Sequence, residues 1–195
     1  MLIDTHCHLD AAEFDGDRAA VAARAEAVGV GCMVVPSVER GGFDAVADVC
    51  RQFSGCWPAY GIHPLFADHA REEDLEVLRA ALRREPVVAV GEIGLDGFVE
   101  LRDEKKQAWW YVEQLKLARE FGLPVLLHVR RAVDAILGEL RRVRVAGGIA
   151  HAFNGSRQQA DEFIKLGFKL GFGGAMTYPR ATRLRELAAT LPLDS

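Results

Sequence analysis

Short apolar runs alternate with longer amphipathic segments along the whole chain. The apolar runs predict seven strands, at residues 1–5, 31–36, 57–61, 87–91, 124–129, 147–152 and 168–172. The segments between and after them repeat with the helical period, which predicts helices at residues 17–28, 42–53, 72–84, 103–121, 133–143, 157–166 and 182–191. Repeated strand–helix units predict an α/β fold with a parallel sheet of buried strands, either doubly wound or closed into a barrel.

Histidines and one acid stand at the carboxyl ends of five predicted strands. They are His6 and His8, His63, Glu92, His128 and His151. A doubly wound sheet gathers its ligands at one switch point, whereas a (β/α) barrel gathers the ends of all its strands into one ring. Five strands that contribute to one site therefore favour a TIM barrel. The sixth histidine, His69, lies in a predicted loop and is interpreted as a surface residue.

The chemistry of these residues favours a metal site. Alternate residues of an extended chain point the same way, so His6 and His8 can present two nitrogen ligands to one ion. The alternative is a pair of histidines near a flexible terminus, which the placement of the other histidines makes the weaker interpretation. Glu92 is flanked by Gly91 and by Ile93. A carboxylate buried there must be paired or bind a cation, and it can bridge two metal ions about 3.5–4 Å apart.

Composition narrows the possible functions. The 195 residues are half apolar, which is enough for one core and predicts a single domain. The net charge of −4 excludes a basic coat for non-specific nucleic-acid binding, but it leaves a nucleic-acid substrate open because metal ions neutralise phosphate locally. The four cysteines lack zinc-ribbon spacing, and neither a signal peptide nor a membrane span is evident. We therefore expect a cytoplasmic protein with buried free thiols, no membrane association and no obligate protein partner.

The motifs around these residues resemble those of the TatD family of metal-dependent hydrolases, which are TIM barrels. The order and separation of the motifs match as well as their residues. The matching segments are Ile3-Asp4-Thr5-His6-Cys7-His8-Leu9, Gly61-Ile62-His63-Pro64, Gly91-Glu92-Ile93-Gly94-Leu95-Asp96, Pro124-Val125-Leu126-Leu127-His128 with Arg130, and His151-Ala152-Phe153-Asn154-Gly155.

The resemblance implies a site with two divalent metal ions. His6, His8 and Glu92 would bind the first ion, and Glu92, His128 and His151 the second, with Glu92 bridging. His63 would lie beside the substrate phosphate, so the implied catalytic residues are Glu92 and His63. The mixed nitrogen and oxygen ligands admit Zn, Mn, Ni or Co and leave Mg open.

The family acts on phosphodiesters, notably as DNA nucleases, so the resemblance implies a phosphodiesterase or deoxyribonuclease that uses a metal-activated water. Two alternatives stay open. One is an amide or ester hydrolase on the same metal scaffold, and the other is a catalytically inactive, truncated remnant.

Several other residues are candidates for substrate contacts. Arg130, and less strongly Arg131, could grip a phosphate, and Asn154 could offer its amide. Tyr178 and Arg180 follow the seventh strand and could contact a phosphate or a base. For each of these residues a solvated loop position is the alternative. The sequence Trp109-Trp110-Tyr111 lies inside a predicted helix, which favours core packing over a platform for bases.

The resemblance also implies an eighth strand that ends in a further aspartate ligand of the first metal ion. The 195 residues end after the seventh predicted helix, and neither Asp10 nor Asp96 is given that role by the resemblance. We therefore expect residues 1–195 to form one TIM-barrel domain that lacks the eighth βα unit and is truncated at its C-terminus. Whether this form is active is left open.

Overall fold

Seven parallel strands form one sheet in the computed structural model, which describes residues 1–84 and 86–195. The strands follow one another across the sheet in chain order, and the sheet curls into part of a barrel. This order confirms the predicted TIM-barrel type of α/β fold. The strands are β1 Leu2–Asp4, β2 Val30–Pro36, β3 Cys56–Tyr60, β4 Ala89–Asp96, β5 Val125–Arg130, β6 Gly148–His151 and β7 Phe168–Leu170.

A helix follows each strand. The seven helices are α1 Arg18–Ala27, α2 Phe43–Gln52, α3 Asp74–Leu82, α4 Glu104–Phe121, α5 Val133–Arg142, α6 Arg157–Lys165 and α7 Thr182–Thr190. Each agrees with a predicted helix to within two residues at either end. Helix α6 begins with a capping box, in which Ser156 and Gln159 satisfy each other's backbone N–H groups. None of these helices combines the length and the apolar character that crossing a bilayer requires.

The core lies mainly between the sheet and its helices. Trp110 and Tyr111 of α4 are among its largest fully buried side chains, as the core-packing interpretation predicts, and neighbouring Trp109 is partly buried. The four cysteines are free thiols, as predicted, but only Cys56 is buried, and the other three are partly exposed. A smaller cluster of Ala59, Ala89 and Leu126 forms a second buried group.

Strand β4 is longer than the apolar pattern predicts. The prediction ended it at residue 91 and placed Glu92 beyond it, but the strand continues to Asp96, so that part of the prediction is wrong. Gly91 and Gly94 resemble strand breakers in the sequence. In the structure they allow β4 to lie against β5, because a Cβ atom at Gly94 would collide with the carbonyl oxygen of His128. Gly94 also has a φ of +146°, which L side chains rarely adopt.

The first strand also differs from its prediction. The apolar run at the start of the chain is typical of a buried strand, but Leu2 and Ile3 are 61% and 58% exposed. Within the described part of the chain, β1 pairs only with β2 and therefore forms one edge of the sheet. A strand at an edge has a neighbour on one side only, so its apolar side chains can stay in solvent.

Candidate metal centre

Six side chains that the sequence singles out meet in one cavity. The cavity has a volume of about 1060 Å³. His6 and His8 follow β1 and His63 follows β3, whereas the other three side chains belong to strands. Glu92 lies within β4, His128 within β5 and His151 at the end of β6. The parallel sheet brings them together because all its strands end at the same edge.

Glu92 lies at the centre of this group and is almost completely buried. Its Oε2 atom is 3.2 Å from Nε2 of His6 and 3.5 Å from Nε2 of His8. Its Oε1 atom is 3.2 Å from Nδ1 of His128 and 3.8 Å from Nε2 of His63. The two carboxylate oxygens therefore face two different pairs of imidazoles.

The imidazoles of His8 and His128 have the orientation that is typical of metal-bound histidines. His8 directs Nδ1 at the carbonyl oxygen of Pro36, at 3.1 Å, and His128 directs Nε2 at Oδ2 of Asp96, at 2.9 Å. A neutral imidazole that donates through one nitrogen presents a lone pair on the other. In both residues the other ring nitrogen faces Glu92 and the cavity. That nitrogen donates a hydrogen bond to the carboxylate when it is protonated, and it offers its lone pair to a metal ion when it is not. Metal-bound histidines usually make this kind of outer hydrogen bond to a carbonyl or a carboxylate.

His63 has the opposite orientation. Its Nδ1 atom accepts a hydrogen bond from the backbone N–H of Leu65 at 3.1 Å. Burial lowers the pKa of His63 to about 4, so its ring is neutral at pH 7 and carries its proton on Nε2. That N–H points toward Glu92 and the cavity, so His63 is placed to donate a hydrogen bond there.

His6 and His151 lie face to face beside this group. Their ring centroids are 3.7 Å apart and the rings are nearly parallel. Nδ1 of His6 is buried and has no hydrogen-bond partner in the described part of the chain. Burial lowers the pKa of His151 to about 4, so at neutral pH its ring is neutral and one of its two nitrogens has a free lone pair. His151 is less close to Glu92 than the other imidazoles, and its role as a ligand stays a prediction.

The charges in the cavity suit cations. Burial alone would raise the pKa of Glu92, but hydrogen bonds from His128, His6 and His8 hold it far below its usual range. The pKa of His8 is raised, mainly by its hydrogen bond to Glu92. Imidazole nitrogens 3.2–3.8 Å from carboxylate oxygens need a proton or a metal ion between the two atoms, because their lone pairs would otherwise repel each other. This donor set and the unpartnered Nδ1 of His6 fit divalent metal ions.

Buried polar side chains hold the backbone around the cavity. The hydroxyl group of Ser37 bonds both backbone groups of Gly61, each at 2.9 Å. The backbone carbonyl oxygen of Ser37 accepts a hydrogen bond from the N–H of Glu92 at 3.0 Å. Gln114 of α4 bonds both backbone groups of Ile62, immediately before His63. Gln107, one heptad earlier on α4, joins the N–H of Asp96 to the carbonyl oxygen of Pro64. None of these residues stands out in the sequence by its type alone, and the one signal is the spacing of two glutamines seven positions apart on one helix.

The predicted substrate-contact residues fall into two groups. Arg130, Arg131 and Asn154 line the cavity, and Oδ1 of Asn154 accepts a hydrogen bond from Arg183 at 3.0 Å. Tyr178 and Arg180 are exposed but are not among the described residues that line it. A substrate contact by Tyr178 or Arg180 stays a prediction.

Asp96 lies next to the metal centre, against His128, and its motif assigns it no role. Its carboxylate is fully buried, and backbone hydrogen bonds from Phe98 and Val99 help to hold its pKa low although burial opposes this. In Asp96→Asn, an amide N–H₂ group can face the Nε2–H of His128, which would turn the imidazole. We expect the affinity for a divalent ion to fall about 10- to 100-fold.

Competition with a chromophoric chelator would measure that affinity. Asp48→Asn, at an exposed position on α2, is the matched control and should bind metal like the unmodified protein. Equal affinities for all three proteins would contradict a role for Asp96 in orienting His128.

Comparisons with known proteins agree on one family. Residues 3–195 match the family described as TatD related DNase. An uncharacterised metal-dependent hydrolase of Escherichia coli K12, YjjV, is 44% identical over 99% of this chain and 76% of its own length. Its crystal structure superposes with a TM-score of 0.93. The 3′-5′ ssDNA/RNA exonuclease TatD of Cronobacter turicensis is 33% identical over 99% of this chain and 74% of its own length.

Proposed function

Because the chain belongs to the TatD family of metal-dependent hydrolases, as its motifs predict, we propose that its cavity binds two divalent ions and hydrolyses phosphodiester bonds in single-stranded nucleic acid. The relative from Cronobacter turicensis is named for single-stranded DNA and RNA, and this name supports the choice of substrate. The cavity also suits an extended strand, because it is open and reaches from the imidazoles to Arg130 and Asn154.

The position of Glu92 is the observation that carries the proposal. Each of its carboxylate oxygens faces its own pair of imidazoles, at 3.2–3.8 Å. A single divalent site needs only one of these oxygens. A carboxylate that presents both oxygens to separate nitrogen donors is suited to join two ions in a two-metal hydrolase.

The orientation of His8 and His128 supports the ligand set that the motifs imply, and His151 enters that set from the motifs alone. His6, His8 and Glu92 would hold one ion, and Glu92, His128 and His151 the other. Bound divalent ions would lower the pKa of a water molecule and neutralise charge on a phosphoryl group. The Nε2–H of His63 donates into the same cavity, so we assign it a hydrogen bond to a phosphate oxygen of the substrate. Arg130 supplies a guanidinium group for the same strand.

Hydrolysis of a labelled single-stranded oligonucleotide in the presence of Mn²⁺ tests the function. We expect cleavage that EDTA abolishes and that added metal restores. A parallel panel of amide and ester substrates tests the alternative chemistry, and faster turnover of that panel would contradict the phosphodiesterase proposal. Bound metal without hydrolysis above background would instead identify the 195-residue form as inactive.

The remaining expectations from the sequence accompany this proposal. We propose a cytoplasmic location and no obligate protein partner. The choice among Zn, Mn, Mg, Ni and Co requires metal analysis of the purified protein. The interpretation of residues 1–195 as one truncated domain stays a prediction.

A further inference from the structure

The cavity continues beyond the metal centre to an aromatic ring and two arginines. Phe98, which follows β4, is 45% exposed and lines the cavity together with Arg130 and Arg131. The proposed function assigns no role to Phe98 or to Arg131. A large apolar side chain left partly in solvent at the mouth of a polar cavity therefore needs an explanation.

Backbone contacts fix the position of Phe98. The carboxylate of Asp96 accepts hydrogen bonds from the N–H of Phe98 at 2.7 Å and from the N–H of Val99 at 3.3 Å. The N–H of Gly97 donates to the carbonyl oxygen of Arg130 at 2.7 Å. A Cβ atom at Gly97 would lie 2.5 Å from the carbonyl oxygen of Arg131, so only glycine allows this close approach.

Both arginines lie against the ring of Phe98. The Cζ atom of Arg130 is 3.8 Å from the ring centroid, and that of Arg131 is 4.6 Å from it. Both distances are within the range of a cation–π interaction. The backbone of Arg131 is left-handed, with a φ of 53°, which is unfavourable for a residue other than glycine. Strained residues of this kind are concentrated at binding and catalytic sites.

Neighbouring acids neutralise the two guanidinium groups only in part. Nη1 of Arg130 is 4.0 Å from Oδ2 of Asp96, but that oxygen already accepts a hydrogen bond from His128. In residues 1–84 and 86–195, no carboxylate forms an ion pair with Arg131. Asp134 also lines the cavity, where its carboxylate accepts a hydrogen bond from Gln159. Two cations beside one ring therefore present positive charge to the cavity.

The guanidinium groups of Arg130 and Arg131 lie outside the metal centre. The imidazole of His128 contacts Glu92 through one nitrogen and Asp96 through the other, and Arg130 lies beyond Asp96. A phosphate at the guanidinium groups would therefore differ from the phosphate that faces Glu92. Guanidinium groups bind phosphate oxygens in a bidentate manner, and an aromatic ring can hold them in place.

We propose that Arg130 and Arg131, held by Phe98, form a subsite for a second, uncleaved phosphate of the substrate strand. Phe98 is a positioning residue, and the ligand class is a nucleic-acid strand with at least two phosphates. The proposal deepens the proposed function and rests on it. It can nevertheless be tested by binding alone, without turnover.

The first test measures binding of a fluorescent single-stranded oligothymidylate in EDTA, as a function of salt concentration. For a single strand, each phosphate contact contributes about −0.7 to the slope of log K against log salt. We expect Arg131→Gln to make this slope shallower by about 0.7. Arg144→Gln, an exposed arginine outside the cavity, should leave the slope unchanged. An unchanged slope in Arg131→Gln, or an equal change in Arg144→Gln, would overturn the proposal.

The second test distinguishes the effect of losing the aromatic ring of Phe98 from the effect of a general loss of folded structure. We measure kcat/KM for thymidine oligomers with one and with two phosphates and take their ratio. Phe98→Leu, which keeps an apolar side chain but removes the ring, should lower the preference for two phosphates about five- to tenfold. Phe98→Tyr should restore it. An unchanged ratio in Phe98→Leu would overturn the proposal. Absence of turnover in every variant would refute the proposed function instead, and the salt dependence of binding would still decide the subsite.

Discussion

Replacing Glu92 by glutamine should lower the turnover of a phosphodiester about 1000-fold or more. The neutral amide keeps the shape of the side chain but loses the charge that faces both pairs of imidazoles. Metal ions contribute several kcal/mol of transition-state stabilisation, and each 1.36 kcal/mol corresponds to a tenfold change in rate. Steady-state hydrolysis with Mn²⁺ would measure this loss, and metal analysis of the same samples should show fewer bound ions.

The control for this prediction is Glu72→Gln, which removes an exposed carboxylate near the start of α3. It should match the unmodified protein in turnover and in metal content. Near-normal turnover by Glu92→Gln would contradict the two-metal proposal. Loss of turnover with normal metal content would mean that Glu92 acts in catalysis without holding the ions.

The second large effect concerns stability. Trp110 is 1% exposed and is the largest fully buried side chain of the described residues. In Trp110→Ala the surrounding core cannot collapse completely, so we expect the free energy of unfolding to fall by about 3–5 kcal/mol. Urea denaturation followed by circular dichroism would measure this change. The loss is a large part of the total stability of a typical domain, which is about 5–15 kcal/mol.

The neighbouring Trp109 provides the matched comparison because it is only partly buried. Trp109→Ala should cost less than half as much stability. The two variants also decide between core packing and a platform for bases. If Trp110→Ala unfolded like the unmodified protein but bound an oligonucleotide more weakly, the core-packing interpretation of Trp110 would be wrong.

The arrangement of the fold and the main site could be predicted because both follow from periodicity. Apolar runs of strand length that alternate with amphipathic segments require a parallel sheet. The ends of parallel strands must then share one edge. Residues as distant in the chain as His6 and His151 could therefore be expected to meet, and their rings stack in the structure.

The extent of β4 could not be predicted in the same way. Its apolar run ends at Gly91, and the residues that continue the strand include Glu92 and Gly94. What extends the strand is its pairing with β5, since Ile93 lies opposite Leu127 and Gly94 opposite His128. A pairing of this kind depends on residues far away in the chain, and no local pattern reveals it.

The residues around the centre were missed for a related reason. Asp96 reaches His128 across 32 positions, and Phe98 meets Arg130 and Arg131 only because Gly97 lies against β5 and the residue after it. Local pattern shows only that an aspartate and a glycine favour a turn. The distant residues that this turn contacts can be identified only from the three-dimensional structure.

The carboxylate of Glu92 would couple two bound ions into one thermodynamic unit. A cation bound at Oε2 would withdraw negative charge from Oε1 and draw the side chain toward itself, so a second cation would meet a different ligand from the first. By linkage, the second ion would alter the affinity for the first by the same factor. Titration with metal should therefore give a binding isotherm that two independent sites cannot fit. Protons released from the imidazoles would accompany each step.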